Sequence, residues 1–237
     1  MTDIAMDQLL QVGGTTLTPN ELLACLRRYQ LLPQLERELR IDGAIADIVC
    51  SEKEVQFACE QFYGQRQLQT AEQRQQWHQR QGLSTEDLTV MASRQVRLAK
   101  FKQQTWGHQV ESYFLKRKSA LDEYRFSILR LPTLGIAQEL FYRLELGEQT
   151  FAQVVAEQGN EAEKPTGGRM GPIALGQLAP PLAQRLKSHP PGTVVPPFEL
   201  GDEVVLMQVE QVQPARLDER MRRQLLDELF EQWIATQ

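Results

Sequence analysis

Cysteine and histidine are scarce in this chain, with three of each in 237 residues. Cys25, Cys50 and Cys59 lack the spacing of metal ligands, and an odd count cannot close a full set of disulfides, so buried free thiols are expected. His78, His108 and His189 lie far apart, and none is paired by motif with a cysteine or serine. Nucleophilic catalysis therefore has no visible support, and neither a metal nor another cofactor is called for. Long apolar runs are also missing: no stretch approaches the ~20 residues that a membrane-spanning helix needs. The first six residues carry no basic segment followed by an apolar one, so a cytoplasmic location is expected, or a periplasmic one where a leader has been removed. Excess positive charge is absent too. The formal net charge is −5, and no block of lysines and arginines occurs, which argues against a nucleic-acid partner.

What is present is enough apolar side chain for a sizeable core, 41% of residues, with 24% charged. That composition fits one or two globular domains. Residues 7–17 read as a short extended piece with a turn at Gly13-Gly14. From residue 18 to about 120 the pattern is helical. Thr18-Pro19-Asn20-Glu21 is a helix start, with Thr as cap, Pro at the first position and Glu three residues on. Ser51 with Glu54, Thr70 with Gln73 and Ser84 with Asp87 repeat the device. A helix from Pro33 past Gly43, towards Ile48, falls between the first two. Gly82 ends one of these helices, and a last one follows Gly107.

The character changes near Tyr124. Phe126–Leu131 is a strand candidate stopped by Pro132. Residues 133–146 form an amphipathic helix with Ile136, Leu140, Phe141 and Leu144 inward. Thr150 caps a short helix through Phe151, Val154 and Val155. Gly167-Gly168-Arg169-Met170-Gly171 releases the backbone into a turn and leads into a short apolar run. A helix through Leu182 and Leu186 follows. Residues 193–198, with Pro196 and Pro197, belong at a sheet edge. Gly201-Asp202 signals a hairpin, and residues 204–209 make the strongest strand. The order β, α, α, β, α, β, β describes a compact α+β domain. Beyond Pro214, Leu217, Met221, Leu225, Leu229 and Trp233 recur every four residues and predict a helix with a broad apolar stripe. It either backs the α+β domain or docks on the N-terminal helices. The second reading is preferred, giving a helical domain of residues 1–118 completed by 215–237, and an α+β domain of 119–214.

These pieces resemble a family. Residues 124–212 resemble a parvulin domain, the rotamase type of peptidyl-prolyl isomerase. The whole chain is similar to the SurA and PrsA class of chaperones, in which helical segments flank such a domain. Gly147-Glu148-Gln149-Thr150-Phe151-Ala152 looks like the family's G-x-x-x-F-A. Gly167-Gly168-Arg169-Met170-Gly171 looks like G-G-x-L-G. Gly176-Gln177-Leu178 with Pro181 and Leu182, and Gly192-Thr193-Val194-Val195-Pro196-Pro197, look like its later elements in order and spacing. The resemblance implies an all-helical N-terminal domain beside a parvulin domain with a four-stranded sheet. It implies peptidyl-prolyl isomerisation of an unfolded polypeptide or peptide client, or client binding without isomerisation, or an adaptor role in secretion or peptide maturation. The oligomeric state stays open.

The sequence departs from the family at the two strand histidines. Ser127 stands where the first would be, and Val204 or Val205 where the second would be. The polar residue that follows the family's second helix maps near Gly159 or Asn160. Ser127 either offers a hydroxyl to the substrate or is a satisfied strand residue. The apolar cup is better kept: the resemblance implies substrate contact by Met170, Leu178, Leu182 and Phe198, although leucines on a helix face are equally read as core. A weak isomerase is therefore expected.

Overall fold

The computed structural model describes residues 10–12 and 15–236, with side chains from Leu17 onward. Residues 7–9 and the Gly13-Gly14 turn lie outside the described residues. The chain opens with a two-stranded antiparallel ribbon, β1 (Leu10–Val12) and β2 (Thr15–Leu17). Five helices follow: α1 (Pro19–Arg28), α2 (Leu32–Ala44), α3 (Glu52–Gln65), α4 (Ala71–Gln81) and α5 (Thr85–Trp106). Reciprocal capping boxes start four of them, at Thr18, Ser51, Thr70 and Ser84, each satisfying two otherwise orphaned backbone donors. Helix α4 ends at Gly82 in the left-handed conformation, as its sequence predicts. Helix α2 stops at Ala44, short of Ile48.

After α6 (Val110–Leu121) come strand β3 (Glu123–Leu131), helices α7 (Leu134–Glu145) and α8 (Phe151–Gln158), strand β4 (Arg169–Ala174), helix α9 (Pro180–Ser188), and strands β5 (Val194–Leu200) and β6 (Glu203–Gln213). The four strands form one antiparallel sheet in the order β4-β3-β6-β5. Helix α10 (Glu219–Ile234) closes the chain. It begins later than the apolar recurrence suggests, because Asp218 caps it through a 2.7 Å bond from the Met221 amide, so Leu217 precedes the helix.

Two compact units result, one of residues 1–110 with 223–237, the other of residues 111–222. In the first, α10 contributes Leu225, Leu226, Phe230 and Ile234 to the core. Phe101, Trp106, Phe230 and Trp233 form a ring cluster with centroids 5.5–6.3 Å apart. Arg94 links α5 to Glu38 and Asp42 of α2, and Lys102 links α5 to Asp227 of α10. The cysteines are free, but each is only partly buried rather than buried.

In the second unit the sheet carries a core on each face. One contains Phe126, Ile128, Val205, Met207 and Val209 with Leu186 of α9. The other contains Leu129, Leu131, Val204 and Leu206 with Leu140 of α7 and Val154 and Val155 of α8. Helix α7 turns Ala137 and Leu140 inward, with Phe141 and Leu144 packed beside them, while Ile136 is 39% exposed. The buried stripe follows 137, 140 and 144, and residue 136 sits a helical step outside it.

Candidate active site

The glycine-rich segment decides where the site residues fall. Gly167 and Gly168 both adopt left-handed φ, 62° and 74°, which glycine reaches without a Cβ penalty. Gly168 takes the Ile128 amide on its carbonyl at 2.9 Å. A Cβ at Gly168 would lie 2.5 Å from the Ile128 carbonyl oxygen, so only glycine lets the two backbones meet. The preceding loop is fixed by Glu163, a buried carboxylate. It accepts the Arg130 amide at 3.2 Å and the Arg130 guanidinium at 3.1 Å. Asn160 stabilises the same loop, its side-chain oxygen accepting the Ala162 and Glu163 amides at 2.9 Å each. That carbonyl is spent on the backbone, as in an Asx turn.

Strand β4 is thereby laid along β3 with Met170 opposite Phe126 and Arg169 opposite Ser127. Past Ala174 the Leu175 amide bonds the Asp122 carbonyl at 2.9 Å, and a 3-10 turn over Leu175–Gln177 delivers Leu178 and α9. Leu178 and Leu182 pack partly buried on the cluster that holds Phe126. Paired residues in a ladder share a face, so Met170 lies on the side of the sheet that Phe126 faces, the side on which Leu178 and Leu182 pack.

Ser127 belongs to the other side. It is 1% exposed, and its hydroxyl donates to Glu210 Oε1 at 2.5 Å. Glu210 is the extra residue of a bulge in β6, between the partners of Arg125 and Phe126, and Arg169 Nε lies 3.5 Å from the same oxygen. This trio borders a cleft of about 450 Å³ together with Thr150 and Phe151 of α8. Ser127 and the three apolar residues are thus separated by the thickness of the sheet.

Phe198 shares the face of Met170 but not its neighbourhood. It sits on β5, the opposite edge from β4, and three strand spacings amount to ~14 Å. Its ring is buried in the cluster on which Leu178 and Leu182 pack, with the Arg185 guanidinium of α9 5.0 Å above it. The two positions matched to the family's histidines do not meet across the ladder: Ser127 opposes Gln208, Val204 opposes Leu131 and Val205 opposes Arg130. On the face of Met170 the residues flanking Ser127 are Phe126 and Ile128, both buried hydrocarbon.

One residue of this face escaped the sequence reading. Tyr124 is 7% exposed and is the only member of the Phe126 cluster with a hydroxyl. Burial, with the nearby Asp122 charge, holds its phenol above the ordinary value. A tyrosine at the start of an apolar strand has no sequence signal that separates it from core.

Residues 133–211 match the rotamase family model, the PPIC-type PPIASE domain. The chain is similar to a peptidylprolyl isomerase, PrsA, of Bacillus cereus, at 13% identity over 97% of this chain and 89% of that one, with a TM-score of 0.51. PrsA of Bacillus anthracis matches at 15% identity over 85% and 89%, TM-score 0.44. A SurA-like chaperone of Campylobacter jejuni matches at 14% identity over 96% and 92%, TM-score 0.39. The Bacillus cereus likeness shows a shared fold. Among curated protein sequences there is no match.

Proposed function

Because residues 133–211 carry a PPIC-type rotamase domain, we propose that this chain is a parvulin-type peptidyl-prolyl cis–trans isomerase and foldase. Its substrate is an unfolded polypeptide or peptide client. The observation that carries the reading is the family-model match over residues 133–211, and it is supported by Met170 pairing with Phe126 on the side of the sheet where Leu178 and Leu182 pack.

Rotation about an X–Pro bond crosses a barrier of ~18–20 kcal/mol and breaks no covalent bond. A site speeds it by binding the twisted amide better than either planar form. The pyrrolidine ring seats against Met170, Leu178 and Leu182, which exclude water from one side of the amide. The twisted nitrogen is less conjugated than the planar one, and an apolar surround disfavours the more polar planar amide. No imidazole lies among the buried side chains of this face, so the rate enhancement is modest.

A second reading rests on a separate observation. In the helical unit a groove of about 870 Å³ runs between α5 and α10, floored by Val96, Leu98, Ala99 and Leu226. Tyr29, Leu31, Leu35, Leu39 and Phe57 of the same unit are also exposed. A chaperone that holds apolar client segments would use such surfaces, with or without isomerisation. The two are separated by following X–Pro exchange in a peptide beside aggregation of a denatured client. Leu182→Trp, which fills the cup, is expected to remove rate enhancement while circular dichroism stays native. Aggregation suppression by a protein that never enhances exchange would leave the chaperone reading alone.

A further inference from the structure

Resting on the isomerase reading above, we propose that Tyr124 is a catalytic residue, its hydroxyl supplying the hydrogen bond to the twisting amide that imidazoles supply elsewhere. Three features of its setting carry this. First, Tyr124 opposes Ile173 of β4 while Phe126 opposes Met170. The strand that bears Met170 then runs on, through Leu175 against Asp122, to Leu178. Along β3 the tyrosine therefore falls between the levels of Met170 and Leu178, on the face where Leu178 and Leu182 pack. Second, every other side chain of that cluster is hydrocarbon or thioether. Any polar assistance from the buried face has to come from this phenol. Third, the hydroxyl has no hydrogen-bond partner among the described residues, yet it is not one of the buried polar atoms sealed without a partner. It therefore reaches solvent at the edge of an otherwise dry surface, poised for a ligand.

The chemistry suits a phenol. In the planar amide the nitrogen lone pair is delocalised and a poor acceptor. In the twisted form it is localised and accepts an O–H donor well, so the bond strengthens as the barrier is climbed. No proton changes hands and no bond is made or broken. The ring, held in the core on both sides, keeps the donor in place without a conformational cost at each turnover. Ionisation would remove the donor, and burial, with the Asp122 charge, delays that to higher pH.

The test is exchange spectroscopy on an Ala-Xaa-Pro-Phe peptide series with the full chain. Tyr124→Phe is expected to lower kcat/KM about tenfold, with KM unchanged, which is the loss of roughly one hydrogen bond made in the transition state. Tyr142→Phe, on the exposed outer surface of α7, serves as the control and leaves the rate as it was. The unaltered protein gives a second readout should the variant unfold: its rate stays level between pH 6 and 8, without the inflection of an imidazole, and falls above about pH 10. An unchanged Tyr124→Phe rate, or a rate that persists once the phenol is ionised, overturns the assignment to Tyr124 and leaves the isomerase reading intact. No enhancement by the unaltered protein on any peptide overturns both.

Discussion

At the scale of single residues, strand parity decides chemistry. Ser127 and Phe126 are neighbours in sequence, yet one hydroxyl faces α7 and α8 and one ring faces α9. The sequence hides this because both sides of β3 are apolar: Phe126 and Ile128 alternate with Leu129 and Leu131, and all are buried. A strand covered on two faces has no polar row to reveal its orientation. Ser127→Ala is expected to cost about 1–3 kcal/mol, since it strips Glu210 of its short bond in a part-buried setting. Urea denaturation checks the stability, and X–Pro exchange should remain within twofold. A large loss of exchange without a loss of stability would return Ser127 to the site. Met170, Leu178 and Leu182 were singled out by the spaced glycine motifs, and it is Met170 whose side of the sheet the ladder fixes. Phe198 was named as part of the apolar floor, and no spacing reports that its strand β5 lies at the edge opposite β4.

At the scale of elements, the starts of helices were easier to read than their ends. Thr18, Ser51, Thr70, Ser84 and Thr150 all cap helices, because the cap is a local bond between residues three apart. Ends have no such local bond, as the stop of α2 at Ala44, short of Ile48, shows. One cap has a pH signature. The Lys100 ammonium, with the Ser51 amide and hydroxyl, lowers the Glu54 carboxyl to about 2. A depressed carboxylate contributes stability above its unfolded value, ~4.3, and loses it as pH falls through the folded value. Glu54→Gln should therefore flatten the acid dependence of the helical unit's stability between about pH 4.3 and 2, read as the midpoint of urea unfolding at each pH. The turn before β4 makes a sharper case. Gly168→Ala drives a methyl against the Ile128 carbonyl at a positive φ. A loss of more than about 2 kcal/mol is expected, together with loss of β4 pairing in amide exchange. A mild effect would mean that β3 and β4 can part without cost.

At the scale of the whole molecule, the proposed function assigns two tasks to two surfaces of different make: the groove between α5 and α10 in the helical unit, and the face of Met170, Leu178 and Leu182 in the sheet unit. Their independence is testable. Ala99→Glu places a charge in the groove and is expected to reduce suppression of client aggregation several-fold while X–Pro exchange persists. Leu182→Trp should do the reverse. If both variants lose both activities together, the division of labour is wrong. The α+β class, the order of elements and the sheet edges were readable from alternation, glycine and proline. The groove was not, because a concave surface is a property of helices brought together and leaves no mark in any one of them.

Both outer strands of the sheet contain proline, Pro172 in β4 and Pro196 with Pro197 in β5. A proline offers no amide to a newcomer. Each therefore breaks the run of donors along an outer edge, so an incoming strand meets an interrupted template and the sheet is harder to extend into a fibre.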